Sequence, residues 1–566
     1  MHRIIKSHLD SFVASHGLDT DIESAQFEKF ANFSIISARI SASYDLEDIT
    51  TGIGDDGMDG VAIIIDEEIV VSKEDAKATF ADGRRNHDVD ACFIQSKTSD
   101  SFDLGDFLKF KESILRFVNG GTYSVNDDVQ NSAREVFDEV LNNVPRVRGG
   151  KPSIVARYVT TGVYQNPAAL ETARNDFISQ INELGLFANI DVKFLGRDEL
   201  TALWVSTYSG VSAVLEMFDK ASLPRISGVE EAYLAVVKAK EMVDKLLLTE
   251  EGNLRTHVFE ENVRSFLGID NAVNRSIAET IQSGEAATRF PVLNNGITIV
   301  SPDVKIQGNT LYLENYQIVN GCQTSNVLFE NRDILGEDLM VSLKIVETSN
   351  EDVFSELVRA TNSQTKIEET QFLSLRPIAR KIEHYFNTYE GMDGRLYFER
   401  RDRQYVGKEI PALRIYPIPM VAKCIASMYL NRPDLAFKYP KTMYSELTEQ
   451  IFAEDNKEGI YYAACVTLYR LHLMVSNRII PQNMKRFKWH TLCLVHAIIC
   501  EKSQEQLNSR NVEKNADKIV VMMSQPSEEA VEVFNKAVVI IKSFGDVSDD
   551  RLKRQAILSE MLDKIT

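Results

Sequence analysis

The stretch from Thr51 to Lys97 limits the fold more than any other part of this chain. Gly52-Ile-Gly-Asp-Asp-Gly-Met-Asp-Gly60 leads into Val61-Ala-Ile-Ile-Ile-Asp66, and a second apolar run closes with Ala91-Cys-Phe-Ile-Gln-Ser-Lys97. The first, a five-residue apolar run rich in β-branched residues, and the second apolar run each predict a strand. Each carries polar residues that packing alone would not select. Asp59 precedes the first run, and Gln95 and Lys97, two apart, share one sheet face. An acid at one strand edge beside Gln-x-Lys on its neighbour suits a hydrated divalent cation, because Mg²⁺ takes oxygen ligands and keeps several waters. A lysine there can position or help deprotonate the attacking water. Read singly, each half is equally a hairpin with turn glycines or an ordinary surface lysine.

The formal net charge is −20, which argues against a general nucleic-acid binder with a basic footprint. Residues 45–60 hold Asp45, Glu47, Asp48, Asp55, Asp56 and Asp59 with no lysine or arginine. That loop repels phosphate unless a cation bridges them, so DNA contact requires local basic clusters plus metal. No apolar run approaches the ~20 residues that span a bilayer, and Met1-His-Arg-Ile-Ile-Lys lacks a signal-peptide core. Cys92, Cys322, Cys424, Cys465, Cys493 and Cys500 form no Cys-x-x-Cys. A cytoplasmic protein with neither a zinc site nor a disulfide framework is expected.

The acid and Gln-x-Lys pattern resembles the PD-(D/E)xK nuclease superfamily, in particular its Mrr-type restriction endonucleases. Asp55-Asp-Gly-Met-Asp59-Gly60 and Gln95-Ser-Lys97 carry the likeness. It implies Asp59 as metal ligand, Gln95 as a neutral second ligand and Lys97 as catalytic base or positioner. Glutamine in place of an acid weakens metal binding by one missing charge. Phe27-Glu-Lys-Phe30 resembles the helix before the first strands in that group, which implies Glu28 as a further metal ligand. A solvated helix-face acid is the other reading of Glu28.

Helix-forming periodicity at 21–42, an amphipathic helix from Leu104 to Val118, a strand at 153–160, a helix opening at Asn166-Pro167 and a strand at 190–195 follow in order. This predicts a restriction-endonuclease-like mixed-sheet α/β sandwich over 1–205. Residues 206–250 read as mostly helical, with Val229 to Leu248 as one helix. Residues 206–414 are expected to hold a helical connector and an α+β module, and 415–566 a mostly helical part.

Four motifs mark the second module: Asn262-Val-Arg-Ser-Phe-Leu-Gly268, Leu293-Asn-Asn-Gly-Ile297, Gln317-Ile-Val-Asn-Gly-Cys-Gln-Thr324 and Arg359-Ala-Thr-Asn-Ser-Gln364. With Tyr397-Phe-Glu-Arg-Arg401 they resemble the AIPR (abortive infection phage resistance) family over roughly 225–540, with Cys322 standing where the family usually has glutamine. Asn294, Asn295, Asn320, Gln323, Asn362 and Gln364 offer donors and acceptors beside glycines. Gly321, before Thr324 and a helix, could admit a ligand phosphate to the backbone. These residues are read as a ligand site or as an amide network joining loops. Arg400, Arg401 and Arg403, with Lys485, Arg486 and Lys488, lie among aromatic residues. They could grip a nucleic-acid backbone, or form solvated faces.

The function expected is bacterial anti-phage defence by a Mg²⁺-dependent nuclease (Mn²⁺ as substitute) that hydrolyses phosphodiester bonds of DNA, or of RNA, under control of the AIPR module. A nucleotide or phage-derived trigger and self-association into a homo-oligomer fit this expectation, and a membrane partner does not. The alternative is a non-catalytic nucleotide- or phage-component sensor with a vestigial nuclease fold.

Overall fold

The computed structural model describes residues 1–19, 21–40, 44–52, 57–66, 68–81, 86–121, 127–208, 211–248, 254–259, 272–362, 373–374, 376–389, 395–401, 404–405, 408, 410–502, 505–545, 547, 549–552 and 554–565. Asp55 and Asp56, the 262–268 motif, Gln364 and Arg403 lie outside them, as does the side chain of Asn362. Contacts divide the chain into two units. One takes residues 1–38, 42–207 and 373–566, and the other 39–41 and 208–372.

The first unit begins with helices α1 (Arg3–His16) and α2 (Glu23–Ser37). It continues through β1 (Gly60–Ile65), β2 (Glu68–Ile69), α3 (Lys73–Ala81), β3 (Val89–Lys97), α4 (Leu104–Val118), α5 (Asp128–Asn142), β4 (Ser153–Thr160), α6 (Ala168–Leu184), β5 (Asn189–Leu195) and α7 (Arg197–Tyr208). The strands form a mixed sheet ordered β2-β1-β3-β4-β5. β1 runs antiparallel to β3, while β3, β4 and β5 are parallel. Every residue of β1 is buried, as its β-branched composition demands of a strand covered on both faces. Val61, Ile63, Ala91 and Phe93 join a core with Phe107 and Phe117 of α4, Phe137 of α5 and Phe177 of α6. Phe12 of α1, Phe30 of α2 and Trp204 of α7 make a separate edge-to-face aromatic cluster.

The second unit holds β6 (Ser212–Ser222), β7 (Glu231–Lys238), the single turn α8 (Ala239–Met242), α9 (Ala272–Gln282), α10 (Gly284–Ala287), α11 (Phe290–Leu293), β8 (Ile297–Ser301), β9 (Asp303–Gln307), β10 (Thr310–Glu314), β11 (Gln317–Asn320), α12 (Cys322–Glu330), β12 (Met340–Glu347) and α13 (Glu351–Asn362). Its sheet runs β11-β8-β12-β7-β6-β10-β9. The helical reading of 206–250 is corrected here. β6 alternates buried Ala213, Leu215 and Met217 with exposed Val214, Glu216 and Phe218, which is strand periodicity. In β7, Ala232 and Ala235 sit three apart as on a helix, while Ala235 and Val237 sit two apart as on a strand. Pairing with β6 on one side and β12 on the other makes it a strand.

The remainder of the first unit is helical: α14 (Pro377–Asn387), α15 (Ile418–Met428), α16 (Pro433–Lys438), α17 (Pro440–Ile451), α18 (Gly459–Ser476), α19 (Lys488–Ile499), α20 (Arg510–Ser524), α21 (Glu528–Lys542), α22 (Asp549–Leu552) and α23 (Gln555–Asp563), with the short parallel pair β13 (Tyr397–Glu399) and β14 (Ile415–Pro417). α18 is apolar almost all round and is buried accordingly. Phe534, Ala537, Val538 and Ile541 of α21 pack into the same core. These helices close on the N-terminal elements: Lys441 of α17 pairs with Glu68 (3.1 Å) and Ser476 Oγ donates to the Gly17 carbonyl (2.8 Å). Among the described residues, no helix is long and apolar enough to cross a membrane.

Candidate metal centre

The register that sets Gly60 opposite Ile94 brings Asp59 beside Gln95. Asp59 Oδ2 accepts hydrogen bonds from Gln95 Nε2 (2.8 Å), Ser96 N (2.7 Å) and Ser96 Oγ (3.4 Å). The backbone is held as firmly: Asp59 N–H donates to the Ile94 carbonyl (2.9 Å), and the Asp59 carbonyl accepts from Thr51 N (3.2 Å) and Asn32 Nδ2 (3.0 Å). Burial nonetheless pushes the Asp59 carboxyl up, against the hydrogen bonds from Ser96 and the charge of Lys97. Gln95 is 1% exposed. Its Nε2 faces the carboxylate, so its Oε1 is left buried without a hydrogen-bond partner among the described residues, an arrangement that ordinarily costs free energy.

Glu28 of α2 belongs to the same cluster. Its carboxyl is pushed up to about 7, first by burial and then by the charge of Asp59, while Lys97 and Lys29 oppose the shift. The fold therefore gathers Glu28, Asp59, Gln95 and Lys97. Asn32, Ser96 and Gly60 were not anticipated. Asn32 is fully buried one turn after Glu28, and also donates to Thr50 Oγ1 (3.3 Å). A Cβ on Gly60 would lie 2.4 Å from Asn32 Oδ1. An asparagine in the midst of an apolar helix was the available signal, and its spacing of four from Glu28 places both on one helix face.

Two carboxylates and an unsatisfied amide oxygen form an all-oxygen donor set, which suits a hard divalent cation that retains water. Among the described residues, no group of three or more His, Cys, Asp or Glu side chains gathers to hold a metal. The donor set here counts two acids and relies on Gln95.

The amide motif lies in the second unit and is bonded within itself. Asn274 Nδ2 donates to Gln323 Oε1 (2.7 Å), and Asn294 Oδ1 accepts from Gly296 N (3.1 Å) and Thr324 Oγ1 (3.2 Å). Gly321 ends β11 with φ +97°, and an added Cβ would lie 2.6 Å from Ile297 Cγ1. The glycine is thus required by close packing and by its left-handed backbone. Asn320 is half-buried beside it and Asn295 is exposed. Cys322 is buried, with Asn326 Nδ2 donating to its sulfur (3.3 Å).

The basic residues expected at phosphate are largely engaged inside the protein. Arg400 is buried, with Nε on Glu383 (2.7 Å) and Nη1 on the Ser374 carbonyl (2.9 Å). Lys488 pairs with Asp45, Lys485 lies 3.8 Å from Asp21, and Arg486 donates to the Val547 carbonyl (2.8 Å). Arg401 is half-buried. In a chain with this acid excess, cations meet internal acids first.

The N-terminal part is thus a mixed-sheet α/β layer with an acid–amide–lysine cluster at adjacent strands. Residues 259–540 match the family model described as AIPR protein, so that stretch is similar to that family. The match spans parts of both units, from within the second sheet to the helices around α21. No curated protein and no solved structure matches the chain.

Proposed function

We propose that the chain is a metal-dependent nuclease of anti-phage defence, cutting phosphodiester bonds of DNA under control of its AIPR region. The observation that carries this is the cluster in which Asp59 is bonded to Gln95 and lies within reach of the charges of Glu28 and Lys97. The AIPR match supports the defence role, and the resemblance to Mrr-type PD-(D/E)xK nucleases supports the chemistry. When bound, Mg²⁺ or Mn²⁺ would polarise the phosphate and lower the pKa of an attacking water. Asp59 and Glu28 would supply carboxylate oxygens to that ion, and Gln95 Oε1 a neutral one. The Lys97 ammonium orients the water and offsets charge developing on the phosphate.

A second reading, a non-catalytic sensor with a vestigial nuclease layer, is favoured by the internal pairing of Arg400 and Lys488, which removes cations from any nucleic-acid surface. One experiment separates them. Purified protein is incubated with plasmid, single-stranded DNA and RNA, each with Mg²⁺, Mn²⁺ or EDTA. Cleavage should require metal, and Lys97→Ala should lower it by about 10²-fold or more at an unchanged melting temperature. Absence of cleavage on every substrate, or cleavage unaffected by Lys97→Ala, overturns the nuclease assignment.

A further inference from the structure

The helix that carries Glu28 and the segment that braces Asp59 are both tied by charge to residues 485–488. On α2, Lys29 follows Glu28 directly. Lys29 Nζ pairs with Asp21 Oδ2 (2.8 Å) and with Glu47 Oε1 (2.8 Å), and Asp21 Oδ1 in turn faces Lys485 Nζ (3.8 Å). Two residues before Glu47, Asp45 pairs with Lys488, the first residue of α19. Lys29 is buried, and Lys488 and Asp45 are mostly so. The chain after Asp45 then runs along the site. Ile49 O accepts from Val61 N (2.9 Å), Thr51 N donates to the Asp59 carbonyl (3.2 Å), and Thr51 Oγ1 donates to the Met58 carbonyl (2.6 Å). Tyr44 completes the tie, its hydroxyl 2.8 Å from Ser37 Oγ at the end of α2.

We propose that Lys485 and Lys488 are positioning residues: their clasp on Asp21 and Asp45 sets the spacing of Glu28 and Asp59, so that the metal site is complete only while this part of the AIPR-matching region is docked. This rests on the metal-site reading above. Without the two lysines, Lys29 is the one paired cation among the described residues left to oppose Asp21, Asp45 and Glu47, and the like charges drive the 45–51 segment away from α2. Both site carboxylates then lose their support, Glu28 through its neighbour Lys29 and Asp59 through the backbone bonds from Thr51. The AIPR region thereby acts on the cluster through a contact it already makes.

The test measures Mn²⁺ binding to the full chain by calorimetry, a readout independent of cleavage, alongside circular dichroism. Lys488→Met should weaken Mn²⁺ binding by about 10-fold, the lower end of what losing a direct outer partner of a metal ligand costs, because it acts on the ligands through Asp45 and the 45–51 segment, with the helical signal retained. Lys488→Arg, which keeps the charge, should restore most of the affinity. Lys441→Met breaks the pair with Glu68 between the same parts of the unit and should leave Mn²⁺ affinity unchanged. If Lys488→Met fails to fold, Lys485→Met, at a more exposed position, replaces it with the same expectation. Wild-type affinity in the folded variants, while Asp59→Asn loses binding, overturns the clasp alone. If wild type binds no Mn²⁺, the metal-site reading fails and the clasp falls with it.

Discussion

Gly60→Ala probes the joint between α2 and β1 with the smallest available change. Gly60 has no positive φ that would demand glycine, so the backbone accepts alanine. The cost is steric: the new Cβ would lie 2.4 Å from Asn32 Oδ1, 2.7 Å from Asn32 Cγ and 2.8 Å from Asn32 Nδ2. Asn32 is fully buried and has no exposed end to swing away. Overpacking of this kind costs roughly 1–3 kcal/mol. Displacing Asn32 also forfeits its bonds to the Asp59 carbonyl and Thr50 Oγ1, at about 1 kcal/mol each. Alanine regains about 0.5–1 kcal/mol of strand entropy over glycine. A net loss of about 2–4 kcal/mol is expected, read as a shift in the denaturation midpoint. The decisive assay is a double-mutant cycle. Asn32→Ala vacates the space that the added methyl needs, so Asn32→Ala/Gly60→Ala should be more stable than the sum of the single variants predicts, by about 0.5–3 kcal/mol. Additivity within about 0.5 kcal/mol, or a Gly60→Ala variant as stable as wild type, would refute the idea that Asn32 is wedged against this glycine.

Two further outcomes follow from buried polar groups elsewhere. Gln323→Ala removes the acceptor of Asn274 Nδ2 inside the second unit, and should lower stability by about 1–3 kcal/mol; an unchanged melting temperature would instead return the amide motif to ligand binding. Asp75, 2% exposed on α3 and with neither carboxylate oxygen hydrogen-bonded among the described residues, has its carboxyl pushed up to about 7 by burial, against the influence of nearby Ser72 and the charges of Lys441 and Lys423. The folded state holds that proton more tightly than the unfolded state does. The contribution is therefore full below about 4 and is lost as pH rises through about 7. Asp75→Asn should melt higher than wild type at pH 8 and no higher at pH 4; the same difference at both pH values would show that Asp75 titrates normally.

The strand β1 was legible from sequence because a β-branched apolar run opened by glycine has few alternatives, and β3 because its apolar run closes on Gln95 and Lys97 at the strand period. Asp59, Gln95 and Lys97 could be paired because strand periodicity fixes which side chains share a face. The helical C-terminal region was equally legible from its apolar stripes. Three things were decided only in the folded chain. β7 became a strand through pairing on both sides, since the unbroken apolar run Tyr233-Leu-Ala-Val-Val237 carries no period that excludes a helix. The basic residues at 400 and 485–488 were taken up by Glu383, Asp21 and Asp45, because which acid a cation meets depends on which distant segments pack together. Asn32 acquired its place beside Asp59 in the same way. A local pattern records the period of burial along one element, whereas the partner of a buried charge or amide lies tens to hundreds of residues away and is chosen by packing alone.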